Sequence, residues 1–366
     1  MQAAALDKIS ADAHVEEPHD LWYDRLPASM RDAAPRRIQS GPEASWELVV
    51  DGRPYGWVDV SPEEAARKEA EREAAASPDV RHEMMRIDGI NGEVIYPTIG
   101  LYVWNIDDAD VGRASCEVYN DWIVERLGGD PRIKVAAMIP TWNVDMAVAE
   151  IRRIADDPSV AGLLLPLVGT PEWNLPVWAP LWEALEATGK PVVMHQGTGH
   201  DMLFYRGWGS ATTNLLATQS MAPRATGLLA CGGVLDRHPT LHVVMVEVNA
   251  GWIAWAMSTL DEYYLAHQRN HWTKPILPEL PSAYVRRQIH ATFQDDPVGL
   301  HNLPLTGRDC LLWGNDYPHP ESVYPDSNRV LDKLLVGVSD ADARAIVGGN
   351  AARLFGFADE VLATRP

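Results

Sequence analysis

Gly162-Leu163-Leu164-Leu165-Pro166-Leu167, the helix-like stretch Val177–Ala187, the breaker Gly189 and the run Pro191-Val192-Val193-Met194-His195-Gln196-Gly197 read as one strand–helix–strand unit. The two apolar runs are nearly uninterrupted, as expected of parallel strands covered by helices on both faces. Working outward, similar runs occur at Ile9–Val15, Gly92–Pro97, Lys134–Pro140, His242–Glu247, His290–Gln294 and Cys310–Asp316, which makes eight strands. Ser115–Leu127, Val144–Asp156, Thr212–Leu235, Gly251–His267 and Ser327–Val336 show helical apolar spacing, with breakers such as Gly232-Gly233 and His238-Pro239 near their ends. Eight strands alternating with helices predict an α/β protein built as a (β/α)8 TIM barrel, one domain over residues 1–366. A doubly wound open sheet is the alternative, but no GxGxxG follows the first strand to support it.

The stretch 23–86 breaks the repeat. It holds a hairpin, Trp46–Val50 and Tyr55–Val60 around Asp51-Gly52, and then a charged helical run, Pro62–Ala76. We read it as an insertion after the first strand, either a lid over the barrel mouth or a solvated excursion. The 14 tryptophans in 366 residues suggest aromatic pocket walls or, more simply, core packing.

Lys and Arg number 31 against 51 Asp and Glu, a net charge of −20. The far field repels nucleic-acid backbones and anionic lipid, so neither nucleic acid nor membrane is expected as a partner, and a small-molecule substrate is. Cys116, Cys231 and Cys310 form no close pair, the first residues lack an apolar targeting core, and no run approaches eighteen apolar residues. A cytoplasmic protein without disulfides is the expectation.

In such a barrel the chemistry sits at the C-terminal ends of the strands. The first strand ends in Asp12-Ala13-His14, whose period of two turns both side chains to the interior. The fifth ends on His195 in a glycine-rich turn, the sixth on Glu247 and the eighth on Asp316 within Gly314-Asn315-Asp316-Tyr317-Pro318-His319. Each alone has a plainer explanation as a hydrogen-bonded core residue or a turn cap. Together, two His and two Asp around one point match the ligand set of Zn²⁺, Mn²⁺ or Fe²⁺, and burying them without a cation would be costly.

With Ser10-Ala11-Asp12-Ala13-His14-Val15-Glu16-Glu17-Pro18, His195, Asp316-Tyr317-Pro318-His319 and the closing Gly349-Asn350-Ala351-Ala352-Arg353-Leu354-Phe355-Gly356, the sequence resembles the amidohydrolase superfamily. Within it, the similarity is to the branch of aminocarboxymuconate-semialdehyde and γ-resorcylate decarboxylases. The resemblance implies one divalent metal per chain, most simply Zn²⁺ with Mn²⁺ or Fe²⁺ as alternatives, held by Asp12, His14, His195 and Asp316, and it implies a homodimer. Two departures stand out: Asp12 replaces the first His of H-x-H, and Glu247 stands where many relatives carry a His. Residues 161–167 contain no lysine, so the carbamylated-lysine dinuclear centre of other branches cannot form.

The leading expectation is metal-dependent hydrolysis of a carbonyl-type bond in a small organic substrate, with Asp316 accepting the proton of an attacking water. Glu247 then orients that water, binds a second cation with His319, or partners a ligand His. The rival is non-oxidative decarboxylation of an aromatic or unsaturated carboxylic acid, and a third reading is a catalytically inactive metal- or ligand-binding barrel. His200, Trp252, His290 and Phe293 flank strand ends and are candidates to contact substrate.

Overall fold

The computed structural model describes residues 2–40, 45–58, 67, 70, 74–169, 171–199, 205–270 and 274–363. Eight parallel strands follow one another around a barrel: β1 (Ile9–Val15), β5 (Gly92–Pro97), β6 (Ile133–Met138), β7 (Val160–Val168), β8 (Val192–Gly199), β9 (Val243–Val246), β10 (Ile289–Phe293) and β11 (Leu311–Trp313). Their order in the sheet is their order in sequence, as the βα repeat predicts. Backbone hydrogen bonds just past the last strand close the ring: Asp316 N donates to Asp12 O at 2.8 Å and His14 N to Tyr317 O at 2.7 Å. Gly314 is required at this seam, because a Cβ there would lie 2.4 Å from Asp12 Cβ and 2.8 Å from its backbone nitrogen.

The strands are buried throughout, apart from half-buried positions at Lys134, Val168 and Gly197, so the apolar runs reflect cover on both faces. Trp22, Trp104, Trp173, Trp178, Trp182 and Trp313 are fully buried, so for these six the plainer account, core packing, holds. The region read as one helix over Thr212–Leu235 is three: Ser210–Gln219, Met221–Cys231 and Val234–Arg237. Pro223 has no N–H to offer the carbonyl of Gln219, which ends the first of them, and Gly233 at φ 73° separates the other two. In helix Trp252–Arg269, Tyr264 packs inward while Trp255 and Tyr263 remain more than half exposed.

The insertion holds a three-stranded antiparallel sheet, β2 (Arg36–Ser40), β3 (Ser45–Val50) and β4 (Arg53–Val58). Its β3–β4 turn is Asp51-Gly52, both at positive φ, the conformation that favours this pair in tight hairpins. The sheet is fastened to the segment after β5. Arg53 Nη2 donates to Asn105 O at 2.9 Å and pairs with Asp107 at 3.0 Å, and the rings of Tyr55 and Tyr102 lie 5.4 Å apart. The helical run expected over Pro62–Ala76 lies largely outside the described residues. Among the described residues no helix is long and apolar enough to cross a membrane.

Candidate metal centre

Four strand ends deliver the site. Asp12 and His14 face inward from β1, His195 from β8, Glu247 directly follows β9, and Asp316 stands three residues past β11. Glu247 and Asp316 occupy the left-handed region at φ 59° and 58°. For residues with a Cβ this costs on the order of 1–3 kcal/mol each, and such strain concentrates at functional sites.

The imidazoles set the electrostatics. His14 Nδ1 lies 2.9 Å from Pro97 O and His195 Nδ1 lies 2.8 Å from Gln196 O. A carbonyl oxygen only accepts, so both Nδ1 atoms carry the proton and both Nε2 atoms present lone pairs. Those two Nε2 atoms are 3.0 Å apart and fully buried. Burial, and then the neighbouring His319, holds His14 well below the ordinary imidazole range; burial and then His14 bring His195 down to about 3. A proton is therefore a poor bridge between them near neutrality, and a divalent cation is a good one.

Carboxyl oxygens complete the cluster. Asp12 Oδ1 lies 3.6 Å from His14 Nε2 and 3.9 Å from His195 Nε2, Asp316 Oδ1 lies 3.5 Å from His14 Nε2, and Glu247 Oε2 lies 3.4 Å from His195 Nε2. Among the described residues, Asp12 Oδ1 is buried without a hydrogen-bond partner, and the buried Asp316 carboxyl has only Gln294 and His319 as polar neighbours outside the cluster. Burial is the first cause that raises the proton affinity of all three carboxyls. The charge of Asp316 adds to it at Glu247 and that of Asp12 at Asp316, whereas His195 opposes it at Asp12. Carboxyls that repel one another in a dry site, beside paired nitrogen lone pairs, fit a cation held by Asp12, His14, His195 and Asp316.

His319 joins this group: its Nδ1 is 3.0 Å from Asp316 Oδ1, its ring stacks 3.9 Å from that of His14, and its Nε2 meets Thr98 Oγ1 at 3.1 Å. Ligand atoms of His14, Glu247, Asp316 and His319 lie close enough to hold a cation among themselves, sharing His14 with the set formed by Asp12, His14 and His195. Phe293 lines a small cleft of about 90 Å³ beside Glu247, together with Leu215, Gln219, Asn249, Thr292, Gln294 and Glu321. Trp252 is half-buried, its indole bonded to Asn249 O at 2.9 Å, and it is not among the residues lining that cleft.

His290 is a correction. It sits near the N-terminal end of β10, bonded to His242 and to Asp309 O, at the end of the barrel opposite the cluster. Its position near the start of a strand rather than the end already argued against a pocket role. His200 lies outside the described residues.

Three residues escaped the sequence reading. Gln196 Nε2 donates to Glu247 Oε1 at 2.9 Å, Thr292 links Glu247 to Asp12, and Thr98 holds His319. Thr292 was within reach, because a period of two along β10 puts a polar side chain inward one step before the strand ends.

The family model described as Amidohydrolase matches residues 11–357. The chain belongs to the amidohydrolase family. No curated protein matches by sequence. Among solved structures, this amidohydrolase is similar to an amidohydrolase of Mycobacterium avium subsp. paratuberculosis K-10, with 20% identity and a TM-score of 0.79 over 96% of this chain and 100% of that one. It is similar to 5-carboxyvanillate decarboxylase of Sphingomonas paucimobilis, with 19% identity and a TM-score of 0.72 over 97% and 100%. It also resembles a dihydroxybenzoic acid decarboxylase of Polaromonas, a structure with bound manganese, at 17% identity and a TM-score of 0.64 over 96% and 97%. At these identities the likeness is one of fold, and the amidohydrolase barrel is the fold in common.

Proposed function

We propose that this amidohydrolase is a metal-dependent, non-oxidative decarboxylase of an aromatic or unsaturated carboxylic acid. The sequence alone ranked hydrolysis first, and the order is reversed by two considerations. The decarboxylases among its structural relatives support the change, and so does the placement of Glu247.

Glu247 carries the reading. Its Oε1 is held by Gln196, so Oε2 is the oxygen left to bear a proton, and that atom faces the cluster 3.4 Å from His195 Nε2. Glu247 also borders the small cleft that Phe293 and Leu215 help to line. Burial and the neighbouring Asp316 raise Glu247 above the ordinary carboxyl range in the metal-free protein, and a bound cation would oppose that rise, so the proton-donor role rests on where Oε2 lies. A divalent cation held by Asp12, His14, His195 and Asp316 would supply positive charge that offsets the charge of the substrate carboxylate. Glu247 then delivers its proton to the ring carbon as the C–C bond breaks, carbon dioxide leaves, and solvent returns the proton to Glu247. Manganese in the Polaromonas relative supports Mn²⁺, and the ligand set also suits Zn²⁺ and Fe²⁺.

Hydrolysis keeps one favourable observation, the buried carboxyl of Asp316 with its raised proton affinity, which suits a base. One experiment separates the two readings: Mn²⁺-loaded protein in D₂O with a panel of hydroxybenzoic and unsaturated acids, and in H₂¹⁸O with aryl esters and amides. Decarboxylation predicts carbon dioxide release with one deuterium on the product carbon, and a Glu247→Gln variant that keeps its metal but loses about 10²–10⁴ in kcat. ¹⁸O incorporation from esters or amides, with no carbon dioxide from any acid, contradicts it.

A further inference from the structure

We propose that Thr292 is a positioning residue that aims Asp12 at the cation and couples it to the strained turn at Glu247, an inference that rests on the cation reading above. Thr292 is fully buried on β10, and its hydroxyl meets two groups from distant parts of the chain. Glu247 N donates to Thr292 Oγ1 at 2.7 Å, and Thr292 Oγ1 donates to Asp12 Oδ2 at 3.0 Å. The direction is fixed by chemistry. A backbone N–H only donates, so the hydroxyl accepts from Glu247, and its single proton goes to the carboxylate.

Two consequences follow for the site. Asp12 Oδ2 is occupied, which stops the carboxylate turning about its terminal torsion and leaves Oδ1, the oxygen without a hydrogen bond, facing the two Nε2 atoms. The backbone N–H of Glu247, buried at a left-handed φ of 59°, obtains a partner outside its own strand. One hydroxyl thus sets the aim of a carboxylate from β1 and the backbone of the proposed proton donor after β9. Removing it leaves Asp12 and the Glu247 N–H with only the contact between those two groups, and valine does so while changing little of the side-chain shape.

The test compares Mn²⁺ binding by titration calorimetry in metal-free wild type, Thr292→Val, Thr292→Ala and Thr292→Ser, with near-ultraviolet circular dichroism of each metal-free protein as the check on folding. Valine and alanine are expected to weaken Mn²⁺ binding about 10–100-fold, the range for partners that orient metal ligands, and serine to restore it to near the wild-type value. If the valine variant loses its native dichroism, the alanine and serine pair carries the same comparison. A folded Thr292→Val or Thr292→Ala protein that binds Mn²⁺ as tightly as wild type overturns the proposal, as does a serine variant as weak as the valine one. Those outcomes leave the cation reading intact, whereas a wild type that binds none of Mn²⁺, Zn²⁺ and Fe²⁺ overturns both.

Discussion

Asp316 is held in conflict by its surroundings. It is fully buried, His319 Nδ1 is its 3.0 Å neighbour, and burial with the charge of Asp12 raises its proton affinity well above the ordinary range, with a bond from Gln294 opposing the rise. Asparagine also tolerates the left-handed backbone at this position, so Asp316→Asn removes charge without forcing a new chain path. The metal-free variant is expected to melt at or above the metal-free wild type, because a desolvated, repelled charge is gone. Saturating Mn²⁺, which stabilises wild type by about 2.7 kcal/mol at 100 times its Kd, should no longer raise the melting temperature of the variant. Thermal melts of both proteins with and without Mn²⁺ check this, and a variant that is less stable without metal yet still gains with it contradicts it. The residues that meet here were legible because Asp12, His14, His195, Glu247 and Asp316 all close apolar runs. The inward place of Thr292 was legible too, but its pairing was not: its partner Asp12 is 280 positions away, and threonine is ordinary in a strand.

Glu17 acts between elements. From the turn after β1 it accepts hydrogen bonds from the backbone of Ile99 at 2.8 Å and Gly100 at 2.9 Å, with Thr98 at 3.3 Å, clamping the segment after β5 that also positions His319 through Thr98. Burial pushes the carboxyl up from 4.5 to about 7, against the hydrogen bonds that favour its charged form. The folded state therefore binds this proton more tightly than the unfolded chain does. The contribution to stability is full below about pH 4.5 and is lost as pH rises through about 7, about 3 kcal/mol in all. Metal-free wild type should lose stability relative to Glu17→Gln between pH 5 and pH 8 in paired denaturant titrations; a gap that widens in favour of wild type with rising pH contradicts the account. At this scale the sequence reading succeeded where pattern was strong, matching β1 and β5 end to end. It missed β2, because Arg36-Arg37-Ile38-Gln39-Ser40 has no apolar alternation and forms only by pairing with β3. It ran the helices of 210–237 together because their apolar spacing continues across a break set by Pro223.

Over the whole molecule, the barrel brings together side chains that lie as far apart in sequence as Asp12 and Asp316, and closes at Gly314 against Asp12 itself. The ring order was legible because each βα unit carries its own punctuation, whereas the contacts of the insertion, such as Arg53 with Asn105 O and Asp107, join residues that no local pattern relates. Everything proposed for the chemistry rests on these four strand ends surrounding one cation. The most direct test is anomalous diffraction at the manganese edge from crystals of the Mn²⁺-loaded protein. The account predicts a principal peak within bonding distance of His14 Nε2, His195 Nε2 and the carboxylates of Asp12 and Asp316. Crystals that show no peak there after Mn²⁺, Zn²⁺ and Fe²⁺ loading, or a peak only elsewhere on the molecule, would contradict it.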